Sequence, residues 1–391
     1  MPFLFSGPGL PYWRLSGYYF FYFAFVGAFS PYFGLYLQSI GSTAAQIAVL
    51  MSLMSVMRML APTLWGMLAD RLGVRVPIVR LSALLSMLGF AGFLVSDAYA
   101  SLFASMAFLA FFWSAALPLV ETLTFAHLDG QAGRYGNIRA WGSVGFILAV
   151  LGLGYLLDEL PIRAVLWVTL ATLGGILACA LVIPEARRPV HASPHRPLGT
   201  ILRRPEVRSL LLACFFMSAA HGALYVFYSL HLVEHGYSKT LVGWMWTLGV
   251  IAEIAVFMGM PQLLRAFSLR AILVFSFAAA VLRFLVIGWA ADSLALLLFA
   301  QLLHGATFGA YHAAAVAAVN EWFGTQHQAR GQALYGSISF GAGGMIGGVL
   351  SGYTWDWIGS AWTYSLGAVF ALLGLLVLVG GWREPSPGER V

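Results

Sequence analysis

The chain has 391 residues, of which 60% are hydrophobic and only 9% charged, against about 25% charged in soluble domains. With a mean hydropathy of +0.84, this excludes a soluble globular domain and marks an integral membrane protein. The net charge of +6 comes almost entirely from Arg and falls in alternate short loops, so it reads as membrane topology and not as nucleic-acid affinity. The 43 glycines suit closely packed membrane helices. Cys179 and Cys214 lie in apolar runs and form no metal-like or disulfide-like pattern. No cofactor is expected. The N-terminal stretch lacks the basic region, short apolar core and cleavage site of a removable leader, so the first apolar segment is expected to stay.

A bilayer-crossing helix needs about 20 apolar residues. In chain order, runs of that kind predict helices over 12–38, 43–69, 76–96, 99–126, 134–157 and 162–183. A second set follows over 208–233, 239–263, 269–290, 293–320, 330–353 and 361–381. Every second loop is basic. Sixteen of the 21 Lys and Arg fall on one side, and only Arg163 and Lys239 fall on the other. That asymmetry predicts both termini in the cytoplasm. The remaining three, Arg58, Arg139 and Arg283, lie inside spans. The loop "PEARRPVHASPHRPLGTILRRPE", residues 184–206, is rich in Pro and Arg and sits midway. It divides the chain into a six-helix bundle over 1–186, a cytoplasmic linker over 187–206 and a second six-helix bundle over 207–391. His191 and His195 in the linker are too isolated to argue for a metal site.

Shifted by 195 residues, the two halves match weakly: Ala24 meets Ala219, Gly27 meets Gly222, Leu35 meets Leu230, Gly41 meets Gly236 and Arg75 meets Arg270. Whole spans and loops align with them, which predicts two halves of the same orientation related by an axis along the membrane normal. The same shift sets Glu253 opposite Arg58. Arg58 is the only charge between Thr43 and Ala69, and a charge near the middle of a span costs about 3 kcal/mol on insertion scales. The expectation is that Arg58 meets Glu253, or a ligand between them. A purely structural ion pair is the alternative.

"GMLADRLGVR", residues 66–75, resembles the G-x-x-x-D-R-x-G-x-R loop signature of the major facilitator superfamily. The resemblance implies an all-α integral membrane fold of twelve transmembrane helices in two pseudo-symmetric bundles. It implies a gating role for Gly66, Asp70, Arg71 and Arg75, with Gly66 allowing close helix approach and Asp70 with Arg71 forming a charge latch. The second half carries a degenerate copy, "GMPQLLRAFSLR".

The segments "LPLVETLTFA", "RYGNIRAWGSVGF", "GWMWTLGVIAEIAVF" and "QLLHGATFGAYHAA" resemble the phenylpropionate permease family, relatives of the lactose permease-type proton symporters. In that group a carboxylate on the fourth helix and an Arg on the fifth engage the sugar, which implies those roles for Glu121 and Arg139. An Arg on the ninth helix and a His on the tenth belong to the binding and coupling network, which implies Arg283 and His304. One turn beyond that His the group has a Glu, and here Thr307 stands instead. The proton site is therefore expected elsewhere, with Glu253 as the replacement.

Spacing adds candidates. His304, Phe308 and His312 fall at i, i+4, i+8 on one face. Trp113, Leu117 and Glu121 do the same on the fourth helix, and His221, Tyr225 and Tyr228 share a face of the seventh. A long aromatic stripe, Tyr22, Phe25, Phe29, Tyr32 and Tyr36, runs along the first helix, where packing is the alternative to ligand binding. Three Arg and two carboxylates, Glu121 and Glu253, sit inside spans, leaving one excess positive charge that a monocarboxylate would balance. Arg grips a carboxylate with two hydrogen bonds, and Trp113, Trp141, Trp244, Trp246 and Tyr225 are candidates to face an aromatic ring.

These residues predict a secondary transporter, a proton symporter of a small organic solute such as an aromatic monocarboxylate, working by alternating access in a bacterial inner membrane. Its partners are the solute, protons and the lipid bilayer, with no nucleic acid, and a monomer is expected. When substrate competes for Arg58, Glu253 takes up the proton, shared with His304, His312 and His221. A proton-coupled exporter of a drug or metabolite is one alternative, and a symporter of a sugar or nucleoside is another. No H-E-x-x-H or G-x-S-x-G pattern occurs, which argues against a membrane enzyme. No ATP-binding motif occurs either, which makes transport secondary. The twofold repeat argues against a receptor, and buried charges in both halves argue against a channel.

Overall fold

In a bilayer every backbone N–H and C=O must pair within its own segment, so long apolar runs become helices. The computed structural model describes residues 10–129, 131–186 and 199–382. Most of the linker, with His191 and His195, lies outside the described residues. The first six membrane-length helices are α1 (Tyr12–Ser39), α2 (Ala44–Leu72), α3 (Val76–Leu94), α4 (Tyr99–Leu128), α5 (Tyr135–Glu159) and α6 (Ala164–Val182). The next six are α7 (Pro205–Glu234), α8 (Lys239–Ala266), α9 (Leu269–Trp289), α10 (Leu294–Gly324), α11 (His327–Ile358) and α12 (Ser360–Gly381). Each expected span is present, with its ends moved by a few residues.

Capping groups fix several of those ends. Thr43 and Gln46 form a reciprocal box at the start of α2, with bonds of 3.2 and 3.0 Å. Gly73 closes the same helix with φ of +71°, a left-handed turn that glycine takes without strain. Glu185 accepts from the backbone N–H groups of Arg75 and Val76, both at 2.9 Å, and so caps α3 from the far side of α6. In return, Arg80 donates to the Leu181 carbonyl at 2.9 Å and Arg14 to that of Val182 at 3.0 Å, satisfying the end of α6. Arg270 plays the same part for α12, donating to the Val379 carbonyl at 3.4 Å.

Besides the 3-10 turn that ends α3 over Gly92–Leu94, three helices depart from plain α geometry within their spans, which apolarity alone does not reveal. α7 breaks at His221, between helical segments Pro205–Ala220 and Gly222–Glu234. α10 widens to a π-helix over Gly305–Ala310, and α11 does so over Ser337–Gly343. Such bulges concentrate at functional sites.

The described chain forms two compact units. The first contains the residues up to 186 and also Tyr225–Thr247, and the second contains 199–224 and the residues from Leu248 onward. In the first unit α1 packs on α5 and α6, and α3 packs on α4 and α6. In the second, α7 packs on α11 and α12, and α9 packs on α10 and α12. The same contacts recur six helices later, as an internal repeat requires. The matched glycines share one task. A Cβ on Gly27 would lie 2.6 Å from the Phe146 carbonyl oxygen on α5, and one on Gly222 would collide with the Gly347 backbone on α11. Only a residue without a side chain lets these backbones approach.

Tyr225–Thr247, the adjoining parts of α7 and α8, is bound into the first unit by polar ties. The Asp158 carboxylate accepts from the N–H groups of Lys239 and Thr240, each at 2.9 Å. Tyr32 donates to the Lys239 carbonyl at 3.3 Å, Gln38 to Glu234 at 3.2 Å and Trp244 to Tyr155 at 3.0 Å.

Candidate functional site

In the first unit, α4 and α5 carry the expected pair. Glu121 accepts a hydrogen bond from the Tyr135 hydroxyl at 3.1 Å. Arg139 lies with its guanidinium carbon 3.8 Å from the centre of the Phe23 ring. Among the described residues the two do not form an ion pair. Trp113 stacks on Tyr22 with ring centres 4.6 Å apart and planes 10° apart, and it also touches Phe25. Its indole N–H is buried and finds no hydrogen-bond acceptor among the described residues. Arg58 is exposed on α2.

The rest of the α1 aromatic stripe is packing. Phe25 stacks on Phe29 and Phe29 on Phe33, and Phe33 meets Phe90 and Phe93, all fully buried or nearly so. Tyr225 stacks on Trp246 at 6.3 Å, whose own N–H donates to Ser229. Trp141 donates to Tyr12 and leans on Trp13 at the end of α1, away from Trp113.

In the second unit the cluster is tighter. Arg283 is 1% exposed. Its Nε donates to the Ala300 carbonyl at 2.9 Å, Nη2 to Gln301 at 2.8 Å and Nη1 to Thr307 at 3.1 Å. Nη1 also points at His221 Nε2 from 3.5 Å. His221 Nδ1 lies 2.8 Å from the Met217 carbonyl. A carbonyl only accepts and a guanidinium only donates, so His221 is the neutral tautomer with its proton on Nδ1. Both ring nitrogens of His221 are thus engaged within the unit. Thr307, standing where the lactose permease-like group has its coupling acid, is a ligand of Arg283.

His304 Nε2 is 3.9 Å from Glu253 Oε2, too far for a hydrogen bond but within reach of an ion pair once the imidazole is protonated. His304 Nδ1 is buried without a partner among the described residues. His304, Phe308 and His312 form one stack, with ring centres 5.4 and 5.9 Å apart. The phenyl ring of Phe308 thus lies between the two imidazoles. His312 is instead 2.8 Å from the Tyr335 hydroxyl on α11. The structure therefore groups Arg58, Glu121, Arg139 and Trp113 in one unit and Glu253, His304, His312, His221, Arg283 and Phe308 in the other.

The loop residues are arranged differently from expectation. A Cβ on Gly66 would meet no atom within 4 Å, so the close approach expected there is not made. α2 meets α4 through Trp65, which donates to the Phe111 carbonyl at 3.3 Å, and Gly66 faces another direction. Asp70 and Arg71 are exposed and form no ion pair among the described residues. Neighbours at i and i+1 on a helix do not face each other. Arg75 contributes through its backbone N–H, held by Glu185.

Sequence spacing had the means to find Gln301, one turn before His304. It carried no signal for Phe23, Tyr135, Tyr335 or Glu185, whose partners lie on other helices.

A profile of the MFS_1 like family matches residues 12–366. The chain belongs to that family. It is a multi-pass major facilitator transporter of small molecules and not an enzyme, as the motifs of α2, α4, α5, α8 and α10 imply. It is 29% identical to the "Probable 3-phenylpropionic acid transporter" of Escherichia coli (strain K12), over 96% of this chain and 97% of that one. It is 27% identical to the "Maltose permease" of Geobacillus stearothermophilus, over 95% of each chain. A crystal structure of a mutant of the nucleoside transporter NupG superposes with a TM-score of 0.85 at 15% identity, covering 95% of this chain and 100% of that one. At that identity the likeness shows the fold alone.

Proposed function

We propose that this transporter carries a small aromatic monocarboxylate inward together with a proton, by alternating access, across a bacterial inner membrane with both termini cytoplasmic. One observation carries the substrate class. Arg139 has ring faces for neighbours and enters no ion pair among the described residues, and Glu121, the carboxylate of α4, is already engaged by Tyr135. A carboxylate ligand supplies the counter-charge to that guanidinium, and charge inside a membrane calls for balance. The ring stack of Tyr22 and Trp113 in the same unit, with an indole N–H that meets no acceptor among the described residues, suits an aromatic body with a polar end. The name of the Escherichia coli relative points to the same class.

Coupling is assigned to Glu253 with His304, the carboxylate and imidazole that face each other across α8 and α10. Substrate binding shifts the proton between them, and the loaded carrier crosses with both. Asp70, Arg71 and Arg75 are assigned to gating by the loop signature.

The test is uptake of radiolabelled 3-phenylpropionate into proteoliposomes with an imposed pH gradient. Accumulation is expected when the outside is acidic, with collapse on adding a protonophore. Accumulation driven in the opposite direction overturns symport in favour of an exporter. A second reading, sugar symport, is favoured by the likeness to the maltose permease over nearly the whole chain. Maltose-dependent, phenylpropionate-independent proton uptake by the same vesicles would select it.

A further inference from the structure

Arg139 and Arg283 are both membrane arginines, but their donors are placed in opposite ways. Around Arg283, carbonyl, amide, hydroxyl and imidazole acceptors from its own unit surround the guanidinium edge. Around Arg139 the neighbours are ring faces. Its guanidinium carbon is 3.8 Å from the Phe23 ring centre and 5.9 Å from that of Tyr19, residues one turn apart on α1. Among the described residues the Arg139 guanidinium enters no ion pair. Glu121 accepts from the Tyr135 hydroxyl instead. Tyr19 is in turn anchored by Thr124 at 3.2 Å.

Space for the stack comes from Gly142, three residues beyond Arg139 on α5. A Cβ there would lie 2.6 Å from Phe23 Cδ2 and 2.8 Å from Arg139 Nη1. Both atoms would have to move. A guanidinium covered on its face by an aromatic ring keeps its N–H edge outward, and that edge makes two parallel bonds to a carboxylate.

We infer that Phe23 is a positioning residue, and that with Gly142 clearing its notch it holds the Arg139 guanidinium edge ready for the carboxylate of the transported solute. This rests on the reading of the substrate as a carboxylate. Arg283, ringed by its own acceptors, orders the second unit and does not grip the anion.

The experiment is equilibrium binding to the full-length protein in detergent, using 3-phenylpropionate and its uncharged primary amide as paired probes. Phe23→Leu, which keeps apolar bulk and removes the ring face, is expected to weaken binding of the acid about tenfold and leave that of the amide unchanged. Phe23→Trp, which restores a ring face, is expected to bind the acid like the unaltered protein. Gly142→Ala is expected to reproduce the selective loss, and it carries the test if Phe23→Leu does not fold. Equal losses for acid and amide, or no loss for either, overturn the inference and leave the carboxylate reading standing. Failure of the unaltered protein to bind the acid overturns that reading, and the inference with it.

Discussion

His304 Nε2 stands 3.9 Å from Glu253 Oε2 within the second unit. Small residues make this possible. Gly249 and Gly309 border the two side chains, and a Cβ on Gly249 would already touch the His304 ring at 3.2 Å. The lactose permease-like arrangement puts the acid one turn beyond the His on the same helix. Here Thr307 stands in that place, and a carboxylate approaches the His from α8 instead.

Glu253→Gln keeps the shape of the side chain and removes its proton. Uptake driven by a pH gradient is expected to fall to background, while exchange of labelled for unlabelled solute across vesicles persists. Gradient-driven accumulation at the unaltered rate would assign coupling to another group.

Arg139→Lys replaces a planar fork by a point charge. Affinity for a carboxylate is expected to fall by about 2 kcal/mol, roughly thirtyfold, the order of one charge-assisted hydrogen bond. Isothermal titration of the purified protein measures it, and unchanged affinity would remove Arg139 from the site.

Arg283→Met is expected to act on stability more than on recognition. Gln301, Thr307 and His221 would lose a buried partner, at a combined cost of about 3 kcal/mol. Thermal unfolding in detergent should show a clearly lowered midpoint. A variant of unaltered stability that no longer binds solute would instead make Arg283 a ligand contact.

Gly27→Val and Gly222→Val test the repeat. Each pushes a side chain into the facing backbone of α5 or α11, with an expected loss of about 1–3 kcal/mol from overpacking. Gly66→Ala has open space around it and is expected to leave the unfolding midpoint unchanged. Loss at Gly66 comparable to that at Gly27 would contradict the packing described here.

Apolarity along the chain determined the twelve spans, because a helix in lipid satisfies its backbone within itself and needs no partner to be recognised. The weak 195-residue repeat and the loop after α2 were enough for the fold. Charges inside spans pointed to Arg58, Glu121, Arg139, Glu253 and Arg283, since each is costly there. What each charge touches was decided only by tertiary contacts. Arg139 and Arg283 look alike in sequence, yet one faces Phe23 across α1 and the other is encircled by Gln301, Thr307 and His221. The break at His221, the π-helices in α10 and α11, and the attachment of Tyr225–Thr247 to the first unit were equally hidden. Hydropathy averages over a whole segment, whereas each of these depends on a single atom of one helix meeting a single atom of another.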